Sequence, residues 1–208
     1  MNKVIFFIDG FNLYHALNYL QNDKAHDRLK KYKWLNLEKL CHYYLGNDAL
    51  EDIFYFTTLA TWNHKKADRH KTYIRALEYV GVKVIYGEFK RKSVFCLKCN
   101  RIFRTFEEKQ TDVNIALKLF ELAVQDRYDK AVIISGDTDL LPAIKAVHSI
   151  FPNKQIGVVI PIGKRSEDMK NYTDFHFKMK ERHLAQSQFE DEISLPDGSK
   201  LEKPLKWK

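Results

Sequence analysis

Two uninterrupted apolar runs, each closed by an acidic turn and followed by a helical pattern, restrict this chain more than any other feature. Residues 4–8 read Val-Ile-Phe-Phe-Ile and end in Asp9-Gly10. Residues 131–134 read Ala-Val-Ile-Ile and end in Ser135-Gly136-Asp137-Thr138-Asp139. A run without polar alternation suits a strand buried on both faces, as in parallel sheets covered by helices. Parallel strands share one C-terminal edge, and open α/β sheets build their sites at that edge.

The rest of the chain follows the same rhythm. Helical spacing is predicted for residues 11–20, followed by a polar loop over 21–33. Asn36 is placed to cap a helix over 37–45 that Gly46 stops. Aromatic and β-branched residues predict strands over 52–60 and 82–89, separated by a charged helix over 64–80 ended by Gly81. Thr111 is read as the cap of a helix reaching about residue 126. A further helix spans 139–150, with Pro142 in its first turn, where the missing N–H costs nothing. Residues 155–160 form the last predicted strand, and Ser166 caps a short helix. This alternation predicts a mostly parallel, doubly wound sheet between two helical layers, an α/β/α sandwich. The expected organisation is one domain over residues 1–184, interrupted by a hairpin insertion at about 90–106. A polar tail over 185–208 carries an Asp197-Gly198 turn signal for a small hairpin.

With 208 residues and 45% apolar content, the chain can bury a sizeable core. Its formal charge of +8 suits a polyanionic partner, although a solvated basic surface gives the same number. The N-terminal apolar run is too short to span a membrane, and three cysteines do not make a disulfide framework. The expectation is therefore an intracellular, cytoplasmic protein with no membrane association.

Asp9, Asp112, Asp137 and Asp139 each have an ordinary structural explanation as turn or cap residues. Brought to one edge, they would repel one another without a cation, and hard oxygen donors select Mg²⁺ or Mn²⁺. Asn12 adds an amide that can orient water or phosphate. No Gly-rich phosphate loop of the Walker kind is present. A haloacid-dehalogenase-like phosphatase would need an acid two residues after Asp9, where Phe11 stands.

Ile8-Asp9-Gly10-Phe11-Asn12, the stretch Glu108-Lys109-Gln110-Thr111-Asp112-Val113, and Ser135-Gly136-Asp137-Thr138-Asp139-Leu140-Leu141-Pro142 resemble the NYN family, a branch of the PIN-like nucleases. The resemblance covers residues 3–161. It implies a PIN-like fold and a metal-dependent ribonuclease, with Asp9, Asp112, Asp137 and Asp139 as metal-binding acids and Asn12 as the polar residue of the first helix. It equally admits a relative that binds RNA without cutting it.

Cys96-Leu97-Lys98-Cys99 is half of a zinc site, and a four-thiolate site would need a second copy of the chain in a homodimer. The same spacing occurs in reduced structural thiols. Two basic groups are candidates for nucleic-acid contacts. One contains Lys65 and Lys66; the other contains Arg91, Lys92, Arg101 and Lys109, interleaved with Phe95, Phe103 and Phe106. Mixed cations and aromatics suit single-stranded RNA, with DNA also open.

Overall fold

The computed structural model describes residues 1–18 and 29–207. The end of the predicted first helix and most of the predicted loop over 21–33 lie outside the described residues. The elements run in the order β1 (Lys3–Asp9), α1 (Gly10–Asn18), α2 (Leu37–Leu45), β2 (Ala49–Thr57), α3 (His64–Tyr79), β3 (Lys83–Tyr86), β4 (Glu88–Cys96) and β5 (Arg101–Lys109). They continue as α4 (Thr111–Val124), β6 (Lys130–Ile134), α5 (Leu141–Ile150), β7 (Gln155–Ile160), α6 (Glu167–Asn171), β8 (Phe175–Lys178), α7 (Glu181–Gln186), β9 (Glu192–Ser194) and β10 (Lys200–Glu202).

Six strands form one parallel sheet in the order β3-β2-β1-β6-β7-β8. The apolar runs explain its centre. Side chains alternate across a strand, so β1 sends Val4, Phe6 and Ile8 into one core and Ile5 and Phe7 into the other. The first core includes Leu13 and Leu17 of α1, Leu40 of α2, and Tyr73 and Leu77 of α3. The second includes Ile115 and Leu119 of α4, Ile144 and Val147 of α5, and Met169 of α6. The result is the α/β/α sandwich that the sequence pattern implies. From β1 the chain winds outward to β3, then returns across α4 to lay β6 on the other flank of β1. That reversal makes the β1/β6 edge a topological switch point.

Three local expectations are corrected, and one strand has no sequence counterpart. The predicted strand over 82–89 is divided: β3 ends at Tyr86, the Gly87 N–H donates to the Thr57 carbonyl at 2.9 Å, and Glu88 already belongs to the hairpin. A Cβ on Gly87 would lie 2.7 Å from the Lys109 carbonyl oxygen, so the chain leaves the sheet where only glycine fits. The strand β2 runs from Ala49 to Thr57, because its parallel register with β1 closes at Asp9 opposite Phe56. Thr111 does not cap α4: Gln110 precedes it in a left-handed conformation (φ 77°), and Thr111 is the first helical residue. The edge strand β8, Phe-His-Phe-Lys, has no counterpart among the predicted strands, since its mostly exposed side chains leave no apolar run.

The antiparallel hairpin β4–β5 stands outside the main sheet. Its base is pinned by Trp62, which stacks on Phe106 at 3.6 Å and meets Phe89 edge-on at 4.7 Å. The C-terminal segment is polar in composition, yet Phe189, Ile193 and Leu201 join the first core. The strands β9 and β10 pair antiparallel around the Asp197-Gly198 turn. Among the described residues, no helix is long and apolar enough to cross a membrane.

Candidate metal centre

Asp9 is the last residue of β1 and is 3% exposed. Chain direction reverses at once into α1, and Gly10 is what permits it. A Cβ at Gly10 would lie 2.6 Å from both the Phe56 carbonyl oxygen and the Tyr55 ring. The two oxygens of Asp9 accept hydrogen bonds from the Asn12 N–H at 2.9 Å and the Ser135 hydroxyl at 2.8 Å. Ser135 follows β6 directly and is fully buried; its oxygen accepts the Asp137 N–H at 3.0 Å. The Asn12 side-chain oxygen accepts the Gly136 N–H at 3.2 Å. The ends of β1 and β6 are thus stitched together by short polar side chains.

Asp112 enters from a third direction, in the first turn of α4. The carboxylate of Glu108 does the capping there: it accepts the Thr111 N–H at 3.1 Å and the Thr111 hydroxyl. Asp137 accepts the Asp139 N–H at 3.0 Å and opens the short 3₁₀ turn Thr138–Leu140.

Asp9, Asp112 and Asp137 each offer an oxygen within 4.8 Å of the others. Among the described residues, none of the three has an ion-pair partner. Asp139 is exposed and stands outside this group, although its charge reaches Asp112. Together with Phe11, Asn12, His15, Glu108 and Lys164, the three line a cleft of about 340 Å³.

The electrostatics follow from this crowding. Burial pushes the Asp9 carboxyl up to about 6; its two hydrogen bonds oppose the shift, and the charges of Asp137 and Glu108 add to it. Asp112 rises to about 6 as well, through burial and then the charges of Asp9, Asp137, Glu108 and Asp139. The His15 imidazole is held below its usual range by burial and by Lys164. A set of three carboxylates with no counter-charge fits a hard divalent cation. Ligand distances near 2.1 Å put opposite oxygens of such an ion about 4.2 Å apart, a span compatible with three oxygens that lie within 4.8 Å of one another.

Four lining residues are not among the candidates that the sequence offers: Phe11, which stands inside the Asp9–Asn12 motif, His15, Glu108 and Lys164. His15 lies three residues after Asn12, so helical spacing puts both on one face of α1. Glu108 lies four before Asp112, but a left-handed residue between them hides the relation. Lys164 follows β7, after Gly163 at φ 75°, and only the fold brings it near.

The predicted basic residues stand elsewhere. Lys65, Lys66, Arg91, Lys92, Arg101 and Lys109 are exposed, and none of them lines the cleft. Lys92 and Lys109 both pair with Glu107, at 2.8 and 3.0 Å. Arg101 is at the far end of β5, roughly 24 Å from Glu108 at ~3.4 Å per residue. Phe106 is occupied by Trp62 rather than open for stacking. Cys96 and Cys99 flank the hairpin turn, and the N–H groups of Cys99 and Lys98 together with the Cys99 thiol hold the Cys96 thiol below its usual range.

Residues 3–180 match the NYN domain. The chain belongs to the NYN domain family. Family membership points to nuclease-type hydrolase chemistry on nucleic acids, and the acidic cluster of this NYN domain is compatible with it. A segment of 55 residues is 42% identical to 6-hydroxy-3-succinoylpyridine 3-monooxygenase HspA of Pseudomonas putida, covering 26% of this chain and 17% of that protein. The fold is similar to that of a protein of unknown function from Vibrio parahaemolyticus, with a TM-score of 0.57 at 15% identity over 86% of this chain and 93% of that one.

Proposed function

We propose that this NYN domain is a metal-dependent ribonuclease that hydrolyses RNA phosphodiester bonds with Mg²⁺ or Mn²⁺. One observation carries the reading: three carboxylates from three separate elements converge within 4.8 Å, and among the described residues none of them has an ion-pair partner. Asp9, Asp112 and Asp137 would hold the ion, with Asp139 as a further carboxylate beside them. A bound divalent ion supplies hydroxide near neutral pH and neutralises developing charge on phosphate.

The chain's own groups do the remaining work. Ser135 and the Asn12 N–H hold Asp9 in one orientation. The Asn12 side-chain oxygen is engaged by Gly136, which leaves its NH₂ to face a water or phosphate oxygen. Lys164 presents the cation on the cleft wall that a phosphate needs, and the exposed Phe11 ring offers a base a stacking surface. The basic residues of the β4–β5 hairpin, Arg91 and Arg101 above all, are proposed to contact single-stranded RNA farther from the cleft.

Incubation with defined single- and double-stranded RNA and DNA, with each metal and with chelator, tests the reading. Metal-dependent RNA cleavage that chelation stops is the expected result. Binding without cleavage under every metal condition would make this a non-catalytic RNA-binding module instead.

At the hairpin tip we propose that Cys96 and Cys99 hold Zn²⁺, completed by the same pair from a second copy. The N–H groups aimed at the Cys96 sulfur support a thiolate there, and a reducing cytoplasm would keep both thiols available. Metal analysis should find one zinc per two chains, and chelation should dissociate the dimer. Purified protein without zinc, or a zinc-loaded monomer, would remove this assignment.

A further inference from the structure

A second cationic centre stands apart from the cleft and is assembled from three distant parts of the chain. On α3, Lys66, Arg69 and Tyr73 share one helical face at i, i+3 and i+7. Tyr73 lies against Trp34 at 6.1 Å and Trp207 at 6.0 Å. Lys33 precedes Trp34 and Lys206 precedes Trp207, so the aromatic contact draws both lysines toward the stripe on α3. The crowd depresses the Lys33 ammonium to about 8, through burial first and then the charges of Lys30, Lys206, Arg69 and Lys66. Among the described residues, Lys33, Lys66, Arg69 and Lys206 have no carboxylate partner. Several lysines elsewhere are neutralised within the chain: Lys92, Lys109, Lys118 and Lys130 sit within 3.0 Å of an acid.

A continuous line of rings joins this centre to the cleft. Phe11 and His15, which line the cleft, meet at 4.2 Å. His15 meets Tyr14 at 5.8 Å, and the Lys33 ammonium lies 5.1 Å from the centre of the Tyr14 ring. Phe11 and Tyr14 are 43% and 45% exposed, so both keep a face open to solvent. Unpaired cations beside open aromatic faces are the means by which proteins track a single strand without reading its sequence.

We propose that a single-stranded nucleic acid leaving the cleft runs over Phe11 and Tyr14 and lays its phosphates on Lys33, Lys66, Arg69 and Lys206. This path rests on the nucleic-acid reading of the cleft for the nature of the ligand, and adds where the strand goes. On the β4–β5 hairpin Lys92 and Lys109 pair with Glu107, which leaves Arg91 and Arg101 as the hairpin's own contacts and the α3 side as a separate surface.

The test measures binding by fluorescence anisotropy in chelator, so that no cleavage occurs, using labelled oligouridylates of about 4 and about 16 nucleotides, the range of single-strand site sizes. Lys66→Glu with Lys206→Glu changes only exposed side chains; Lys33→Ala with Arg69→Ala is the second variant. Each should weaken the long probe by about tenfold or more and lower its salt slope by roughly 0.7 per phosphate contact removed. The short probe should be held equally by variant and wild type. Unchanged long-probe affinity in both variants, or equal loss on the two lengths, overturns the path. Displacement of the long probe by poly-glutamate as readily as by unlabelled RNA also overturns it, in favour of an acidic protein partner. The length-dependent loss seen in a protein that cleaves under no metal condition supports the path while refuting the catalytic reading. Metal-dependent cleavage with both variants binding normally does the reverse.

Discussion

The two edges of the central sheet treat the same residue type in opposite ways. At the N-terminal edge, Asp48 accepts hydrogen bonds from the Lys130 ammonium at 2.6 Å and from both nitrogens of Asn2 at 3.0 and 3.2 Å. Its carboxyl is held below the usual range, first by Lys130. Asp126 is likewise held low by Lys154, 2.7 Å away. At the C-terminal edge, burial first and then neighbouring carboxylates push both Asp9 and Asp112 up to about 6. One edge neutralises its acids within the chain. The other leaves a charge deficit for something from outside. The difference teaches that an acidic cluster becomes informative when its neighbours decline to neutralise it.

The largest effect that would break this contrast is on cleavage. Asp9→Asn or Asp137→Asn should reduce metal-dependent RNA cleavage to background in a gel assay, with circular dichroism unchanged. Retained cleavage in either variant would remove the assignment.

Stability should move the opposite way. The folded-state pKa of Asp9, about 6, lies above its ordinary 3.8, so the native state holds the proton more tightly than the unfolded chain. Its contribution to stability therefore falls as pH rises from about 4 to about 6, and above that window the ionised group costs up to ~3 kcal/mol. In metal-free protein at pH 7.5, Asp9→Asn should raise the denaturation midpoint. An unchanged or lower midpoint would show that the buried charge is compensated after all.

A smaller effect belongs to Ser135, whose hydroxyl is bonded to Asp9 and accepts the Asp137 N–H. Ser135→Ala should weaken metal affinity or activity by about 10–100-fold, as for other groups that orient ligands. Calorimetric titration with Mn²⁺ checks this, and an unaltered affinity would mean that Asp9 needs no such support. The smallest change is expected at the other edge. Asp48→Asn should lower thermal stability, by less than Asp9→Asn raises it, and leave cleavage untouched. A loss of cleavage there would show that the edges are not independent.

Much of this contrast was legible in the chain itself. Unbroken apolar runs announce a parallel sheet, and acids at their ends announce its working edge. The alternation of Phe6 and Phe7 between two cores is the structural form of that same run. What stayed hidden depends on geometry that no local pattern carries. Gln110 joins β5 to α4 through a left-handed residue, so Glu108 caps the helix from inside the preceding strand. Lys164 and Lys206 reach their places only through the fold. The exposed strand β8 has no apolar run to show, and Phe106, which looks free in sequence, is consumed by Trp62.

The central claim is that the C-terminal edge owes its open carboxylates to a divalent cation. The most direct measurement is thermal denaturation at pH 7.5 across a Mn²⁺ titration, for the wild-type chain and Asp9→Asn side by side. The wild type should gain stability progressively as RT ln(1 + [L]/Kd) grows, and the variant should gain little. A wild type that does not respond, or a variant that responds equally, would contradict the account.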